Sequence, residues 1–311
     1  MAAERIDGKT IAREYRARVA EGVAKFKQEA GRPPGLFVVL VGDDPASAVY
    51  VGKKEKAAAE VGMHSGIVRL PGDASREDVL TRLEEIGSDP AIDGILVQLP
   101  LPSHLDTDEI QRAVPALKDV DGFHPQNAGR LLLGQEGGFV ACTPAGVMVM
   151  LEHCGIDLRG LEAVIVGRSN IVGKPLAQLM LAKHATVTIC HSRTRDLAGV
   201  CRRADVLVAC TGVPGLIRGE HIKPGAVVID VGINPISDPE QARDLLAGQP
   251  RRLERFEKRK SALVGDVHFG EALEKASFIT PVPGGVGPMT VALLLGNALE
   301  AAWRAHRRPR N

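Results

Sequence analysis

Short apolar runs of four to six residues recur along this chain between longer stretches with helical spacing, and that alternation leaves few folds open. Leu36 to Val41 reads L-F-V-V-L-V without a polar break, which suits a strand covered on both faces of a parallel sheet. Further strands are expected near Gly66–Leu70 and Gly94–Leu99, then at Ala163–Val166, Ala185–Cys190, Asp205–Cys210 and Ala226–Val231. Helical patterns lie between them, at Ile11–Ala30 (closed by Gly31, Pro33 and Pro34), Ser47–Val61, Ser75–Ile86 and Lys174–Ala182. Thr143 and Pro144 form a helix start, with Thr as N-cap and Pro in the first turn. The fold class predicted is α/β with two domains, the second a Rossmann-like doubly wound sheet. Thr280–Gly287 is a Pro/Gly-rich loop, and the helix from Pro288 to Ala305 is expected to return to the first domain. Charge dominates Ser237–Lys260 and its apolar period is weak, so that segment reads as a surface excursion.

With 311 residues and a hydrophobic share of 44%, the chain can build two cores. Thirty-nine basic against 38 acidic residues leave +1, so no field draws nucleic acid or anionic lipid to the whole surface. The Arg304–Asn311 tail is the one basic cluster and reads as a solvated end. Five cysteines without a C-x-x-C pair fit a reducing compartment, and the nine histidines show no metal-ligand spacing. M-A-A-E-R-I-D-G has no signal-like apolar stretch, and no uncharged apolar run approaches membrane-spanning length. A cytoplasmic protein with no metal is expected.

Two local patterns carry chemistry. Ser47, Tyr50 and Lys54 form S-x-x-Y-x-x-x-K; on a helix, residues four apart share a face, so the Tyr50 ring and the Lys54 amine can serve one pocket. A solvated amphipathic helix would show the same spacing. Gly167 to Pro175, G-R-S-N-I-V-G-K-P, sits between the strand A-V-I-V and a helix. Glycine there lets backbone amides approach a pyrophosphate, and the helix offers free N–H groups. The next strand ends in His191, Ser192, Arg193 and Thr194 rather than an acid. A carboxylate would repel a 2′-phosphate, whereas Arg168 with Ser192 or Arg193 could bind one, which favours NADP over NAD.

Longer motifs follow in a fixed order: G-I-L-V-Q-L-P-L-P at Gly94–Pro102, K-D-V-D-G-F-H-P-Q-N-A-G-R-L at Lys118–Leu131, the Gly167 turn, and T-P-V-P-G-G-V-G-P-M-T at Thr280–Thr290. With S-x-x-Y-x-x-x-K ahead of them, they closely resemble the bifunctional methylenetetrahydrofolate dehydrogenase/cyclohydrolase family over nearly the whole chain. The resemblance implies a folate-binding catalytic domain at 1–142 and 284–311 and an NADP domain at 143–283. It implies Lys54 as the catalytic lysine, Tyr50 as the ring stacking on the aminobenzoyl group, and Gln98 as the amide contacting Lys54. Asp121 would hydrogen-bond the pterin. Leu99, Pro100, Pro283, Gly284 and Gly285 would line the substrate, and Gly167, Arg168, Ser169, Ser192, Arg193 and Ile233 would contact NADP. A homodimer formed through the cofactor domain is implied too. Two departures stand out: Ala141 where proline is frequent, and a longer chain between Gly232–Asn234 and Val264–Val267.

The implied reactions are oxidation of 5,10-methylenetetrahydrofolate and hydrolysis of the resulting methenyl cation to 10-formyltetrahydrofolate. The first mainly needs positioning; the second needs water activation, for which a partly buried lysine can serve. A short-chain dehydrogenase also uses Y-x-x-x-K, but places its glycine turn first. A dehydrogenase for a small acid would not require the D-V-D-G and P-G-G-V-G loops. A non-catalytic nucleotide-binding module would not need the lysine.

Overall fold

The structure, a computed structural model, describes residues 2–307; positions 308–311 of the basic tail lie outside the described residues. The elements in chain order are β1 (Glu4–Arg5), α1 (Gly8–Ala30), β2 (Gly35–Val41), α2 (Pro45–Glu60), β3 (His64–Leu70), α3 (Arg76–Ser88), β4 (Gly94–Val97), α4 (Thr107–Ala113), α5 (Pro125–Leu132) and α6 (Cys142–His153). They continue as β5 (Glu162–Val166), α7 (Gly173–Ala182), β6 (Thr186–Cys190), α8 (Leu197–Cys201), β7 (Val206–Ala209), β8 (Val227–Asp230) and β9 (Asn234–Ile236). The last are α9 (Pro239–Leu245), α10 (Pro250–Arg259), β10 (Ala262–Val264), α11 (Phe269–Lys275), β11 (Phe278–Ile279) and α12 (Val286–His306). Two compact units result, Ala12–Cys142 with Val291–Asn311 and Met1–Ile11 with Thr143–Thr290.

In the first of these, β2 is the centre of a parallel sheet ordered β3-β2-β4. Its apolar run is covered on both sides, as continuous hydrophobicity demands. Val79, Leu83 and Ile86 recur at helical spacing on α3 and pack with Val39, Val41, Ile95 and Val97. A capping box closes the start of that helix, Ser75 and Asp78 each accepting from the other's backbone. Arg32 grips buried Asp93 through two bonds of 2.7 and 2.8 Å, tying the entry of β2 to that of β4. The return of α12 to this unit is evident where Trp303 meets Phe26 of α1 edge-on, 5.1 Å between centroids. Among the described residues α12 is the one helix long and apolar enough to cross a membrane by length and composition. Its Leu294, Leu295, Ala298, Ala301 and Ala302 are buried in protein, which accounts for that composition.

The other unit carries a six-stranded parallel sheet ordered β1-β11-β8-β7-β5-β6, a Rossmann-like arrangement. Two differences from the sequence reading stand out. The first eleven residues group here rather than with 12–142, because β1 adds a short parallel edge to β11. And 237–260 is no plain excursion: α9 and α10 are framed by an antiparallel β9-β10 pair. Ile236, Ala242, Leu245, Leu246, Phe256 and Val264 form a small core of their own inside it. Helix α6 begins at Cys142, one residue before the proposed cap, and the Thr143 hydroxyl instead bonds that of Thr290 at 2.9 Å.

Candidate active site and cofactor turn

Asp44 caps α2 by accepting from the Ser47 amide at 2.7 Å, and Pro45 occupies the first turn, where no donor is needed. The helix so fixed carries Tyr50 and Lys54 one turn apart. Lys54 Nζ donates to Gln98 Oε1 at 2.9 Å. Gln98 follows β4, where its own amide bonds the Val39 carbonyl, and its Nε2 donates to the Leu99 carbonyl at 2.7 Å. The side-chain oxygen is thereby left to face the lysine. Leu99–Pro100 is a cis peptide, and Pro100 is exposed. Tyr50 is 40% exposed, with the Lys53 amine 5.4 Å from its ring centroid.

The D-V-D-G run divides its labour. Asp119 is buried and holds the loop, accepting from the amides of Phe123 (3.2 Å) and His124 (2.8 Å) and from Asn127 Nδ2 (2.8 Å). Gly122 has φ +74° and a Cβ there would lie 2.6 Å from the Ala141 amide nitrogen, so only glycine fits. Asp121 takes no part in those loop bonds. Burial pushes its carboxyl up to about 6 and Asp119 adds to this, while the Lys54 charge and a hydrogen bond from the Cys142 thiol pull the other way.

That shift fixes a pH dependence. Between the ordinary value of 3.8 and about 6, the unfolded chain gives up this proton before the folded one does. Stability therefore falls as pH rises through that window and the deficit is complete above it. Asp121→Asn is expected to raise the melting temperature of the ligand-free protein by several degrees near pH 8 and by nothing near pH 4. Equal shifts at both pH values in a calorimetric scan would contradict this.

In the cofactor unit Gly167 has φ +131°, and a Cβ on it would sit 2.3 Å from the Cys210 carbonyl oxygen. A Cβ on Gly173 would lie 2.2 Å from the Gly167 carbonyl oxygen. Both glycines are thus required by backbone packing at the start of α7. Ser169 Oγ accepts from the amides of Val172 (3.1 Å) and Gly173 (3.4 Å). The turn leaves Arg168 and Ser169 exposed beside a helix N-terminus, which suits a pyrophosphate. Past β6, the His191 amide bonds Thr194 Oγ1 at 2.8 Å and the Arg193 amide bonds His191 Nδ1 at 3.2 Å, turning Ser192 and Arg193 outward. No acid lies between 191 and 195.

The sequence reading missed the acids that hold the loops at the carboxyl ends of β7 and β8. Asp266 accepts from the Thr211 and Gly212 amides (2.5 and 3.0 Å) and from Asn234 Nδ2 (2.8 Å). Asp230 accepts from the amides of Gly232, Asp266 and Val267 at 2.9–3.0 Å. Desolvation pushes Asp230 up to about 7 against those three donors. The available signal was an acid ending a fully apolar strand, V-V-I-D. Ile233, between these anchors, is 41% exposed. In the Pro/Gly loop Val282–Pro283 is cis, Gly284 has φ +112°, and the Gly285 carbonyl oxygen would meet a Gly8 Cβ at 1.8 Å. Among the described residues no group of three or more His, Cys, Asp or Glu could hold a metal ion.

The catalytic-domain model of the tetrahydrofolate dehydrogenase/cyclohydrolase family matches residues 6–121, and that family's NAD(P)-binding domain matches residues 141–306. The chain belongs to this family. The bifunctional protein FolD of Moorella thermoacetica is 54% identical, over 98% of this chain and 100% of that protein. One from Cereibacter sphaeroides is 56% identical, over 99% and 98%. A solved FolD from Campylobacter jejuni has a TM-score of 0.88 at 42% identity, covering 97% of this chain and 99% of that one. A Trypanosoma brucei FolD, complexed with NADP cofactor and inhibitor, gives 0.89 at 38%, covering 99% and 100%. The chain thus joins the two domains that these family models describe, catalytic and NAD(P)-binding.

Proposed function

We propose that Lys54, held by Gln98 and neighboured by Asp121, is the proton-handling centre of an enzyme with two activities. The enzyme oxidises 5,10-methylenetetrahydrofolate with NADP to the methenyl cation and hydrolyses that cation to 10-formyltetrahydrofolate. The Lys54–Gln98 bond of 2.9 Å carries the reading. NADP held by the Gly167 turn would supply the hydride acceptor for the methylene carbon. Lone pairs on the two flanking nitrogens drive that departure, so the chain's residues need only hold and orient the substrate. Hydrolysis adds water to the methenyl carbon and breaks one carbon–nitrogen bond. The Lys54 amine, aimed by Gln98, takes one proton from the attacking water and passes it to the departing nitrogen, and the second water proton is released to solvent as the cation becomes the neutral formyl product.

Asp121 is assigned to the adjacent N–H donors of the pterin, which match two carboxylate oxygens. Tyr50, Leu99, Pro100, Pro283, Gly284 and Gly285 are assigned to the rest of the folate. Gly167, Arg168 and Ser169 are assigned to the pyrophosphate, Ser192 and Arg193 to the 2′-phosphate, and Ile233 to the nicotinamide end. In this assignment 12–142 with the end of α12 is the folate side and 143–283 the nucleotide side. The decisive assay follows absorbance of methenyltetrahydrofolate with NADP as oxidant, then its decay to the formyl product. Absence of the first signal would overturn the reading.

A homodimer is proposed through the nucleotide unit. Strand β6 is an edge of the sheet, and Ile189 on it and Leu181 just before it are 38% and 57% exposed, a surface that pairing would protect. Sedimentation of Ile189→Lys should give a monomer; an unchanged dimer would point to another face. The five free cysteines support a cytoplasmic setting.

A further inference from the structure

The unit of Ala12–Cys142 and Val291–Asn311 holds Lys54, Gln98 and Asp121, and within it one polar side chain stands in apolar company. Asn297 of α12 has Leu293, Leu294, Leu295, Ala298 and Ala301 about it along the helix, all buried. An amide so placed costs stability unless its hydrogen bonds are made. Its Nδ2 donates to the Val120 carbonyl at 2.8 Å and to the Val140 carbonyl at 3.2 Å, and lies 3.6 Å from Cys142 Sγ. A carbonyl oxygen only accepts, so the nitrogen of the amide must be the atom that faces this pair.

Val120 lies between the two acids of D-V-D-G, and its carbonyl begins the peptide that leads into Asp121. The two carbonyls before it have backbone donors. That of Lys118 accepts from the Ile95 and Val120 amides at 2.7 and 2.9 Å, and that of Asp119 from the Gly122 amide at 3.1 Å. The Val120 and Val140 carbonyls have no backbone donor among the described residues, so side chains must satisfy them. The Cys142 thiol also donates to the Val120 oxygen, at 3.3 Å, but a thiol is the weaker donor. Because a peptide is planar, the direction of the Val120 carbonyl fixes that of the Asp121 N–H and constrains the φ of Asp121. The Val120 side chain is fully buried, and its Cγ1 would meet a Cβ on Gly94 at 2.7 Å, so the residue has no room to move towards β4. The other acid has an asparagine as well: Asn127 Nδ2 bonds Asp119 directly at 2.8 Å and the Ala116 carbonyl at 2.9 Å.

We propose that Asn297 is a positioning residue for Asp121, holding from α12 the peptide that aims its carboxyl group. The proposal rests on the assignment of Asp121 to the pterin and deepens it, since a residue 177 positions away in the chain then sets how well that carboxyl group is placed. Asn297 acts here through Asp121 alone. Its removal is felt by the folate and not by the nucleotide.

The test is a calorimetric titration of the full-length protein with 5,10-methylenetetrahydrofolate in the absence of NADP, so that no hydride is transferred. Parent, Asn297→Ala, Asp121→Ala and the double variant form a cycle. Asn297→Ala is expected to raise Kd for the folate by roughly tenfold, the scale of one lost buried hydrogen bond, and to leave Kd for NADP as it was. In the Asp121→Ala background the same change should raise it no further, because the group that Asn297 aims is gone. A role confined to packing α12 would weaken the folate alike in both backgrounds. That result overturns the proposal, as does a Kd for NADP that rises in step with that for the folate. Should Asn297→Ala not fold, Asn297→Leu, which fills the site with apolar atoms, runs the same cycle. A weakened Asp121→Ala beside an unchanged Asn297→Ala sinks this proposal alone; an Asp121→Ala protein that binds folate like its parent sinks the pterin assignment and the proposal with it.

Discussion

Lys54→Met is expected to lower hydrolysis of methenyltetrahydrofolate by roughly 10²- to 10⁴-fold, the range that general acid–base groups supply, while folate still binds. Methionine keeps the unbranched shape of the side chain and removes the amine. Gln98 stays anchored through its own bond to the Leu99 carbonyl and its amide bond to Val39, so the pocket is not expected to collapse. Hydride transfer asks for position rather than for a base, and some dehydrogenase activity should survive. Rates for the two steps measured separately make the check, and a purified variant that hydrolyses the methenyl cation at the parental rate would remove Lys54 from the mechanism.

The second large effect is expected far from the lysine. Asp266→Ala strips acceptors from two loop amides and from Asn234 Nδ2 in a fully buried position. Losses of this kind cost roughly 3–5 kcal/mol in sum, and for a chain of this size about 10 °C in Tm. Because Thr211, Gly212 and Asn234 follow β7 and β8 at their carboxyl ends, where doubly wound sheets take their ligands, the KM for NADP should rise by about tenfold or more. Asp266→Asn can still accept from the two amides, and should lose less on both counts. Hydrolysis of supplied methenyltetrahydrofolate, which consumes no nucleotide, should change least. An Asp266→Ala protein that melts with its parent would show that these bonds contribute nothing.

The contrast between these sites bears on what a sequence discloses. Strands such as β2 and β5 were legible because a parallel sheet buries both faces and writes unbroken apolar runs. That Tyr50 and Lys54 stand one turn apart on α2 was legible because four residues on a helix is a fixed geometry; the spacing alone fits a solvated helix equally, and their roles come only from the resemblance. Asp230 and Asp266 were not, since their partners lie 36 and 55 residues away and no local period records such a bond. The edge strand β1 escaped because Glu4 and Arg5 are both exposed and join the sheet by backbone alone. Helix α10 escaped because Leu253 and Phe256 are its only apolar contributions amid seven charges.

The small core of Ile236, Ala242, Leu245, Leu246, Phe256 and Val264 lies within the β9–β10 insert. The β9–β10 insert is nonetheless fastened at its base to the unit that carries the parallel sheet: Asp244 accepts from Arg218, its carbonyl oxygen meets His268 Nε2, and Asn234 donates to Asp266. Arg255 and Arg259 on α10 are exposed and take no part in those ties, so the outer face of the insert can drift in charge while its base stays in place.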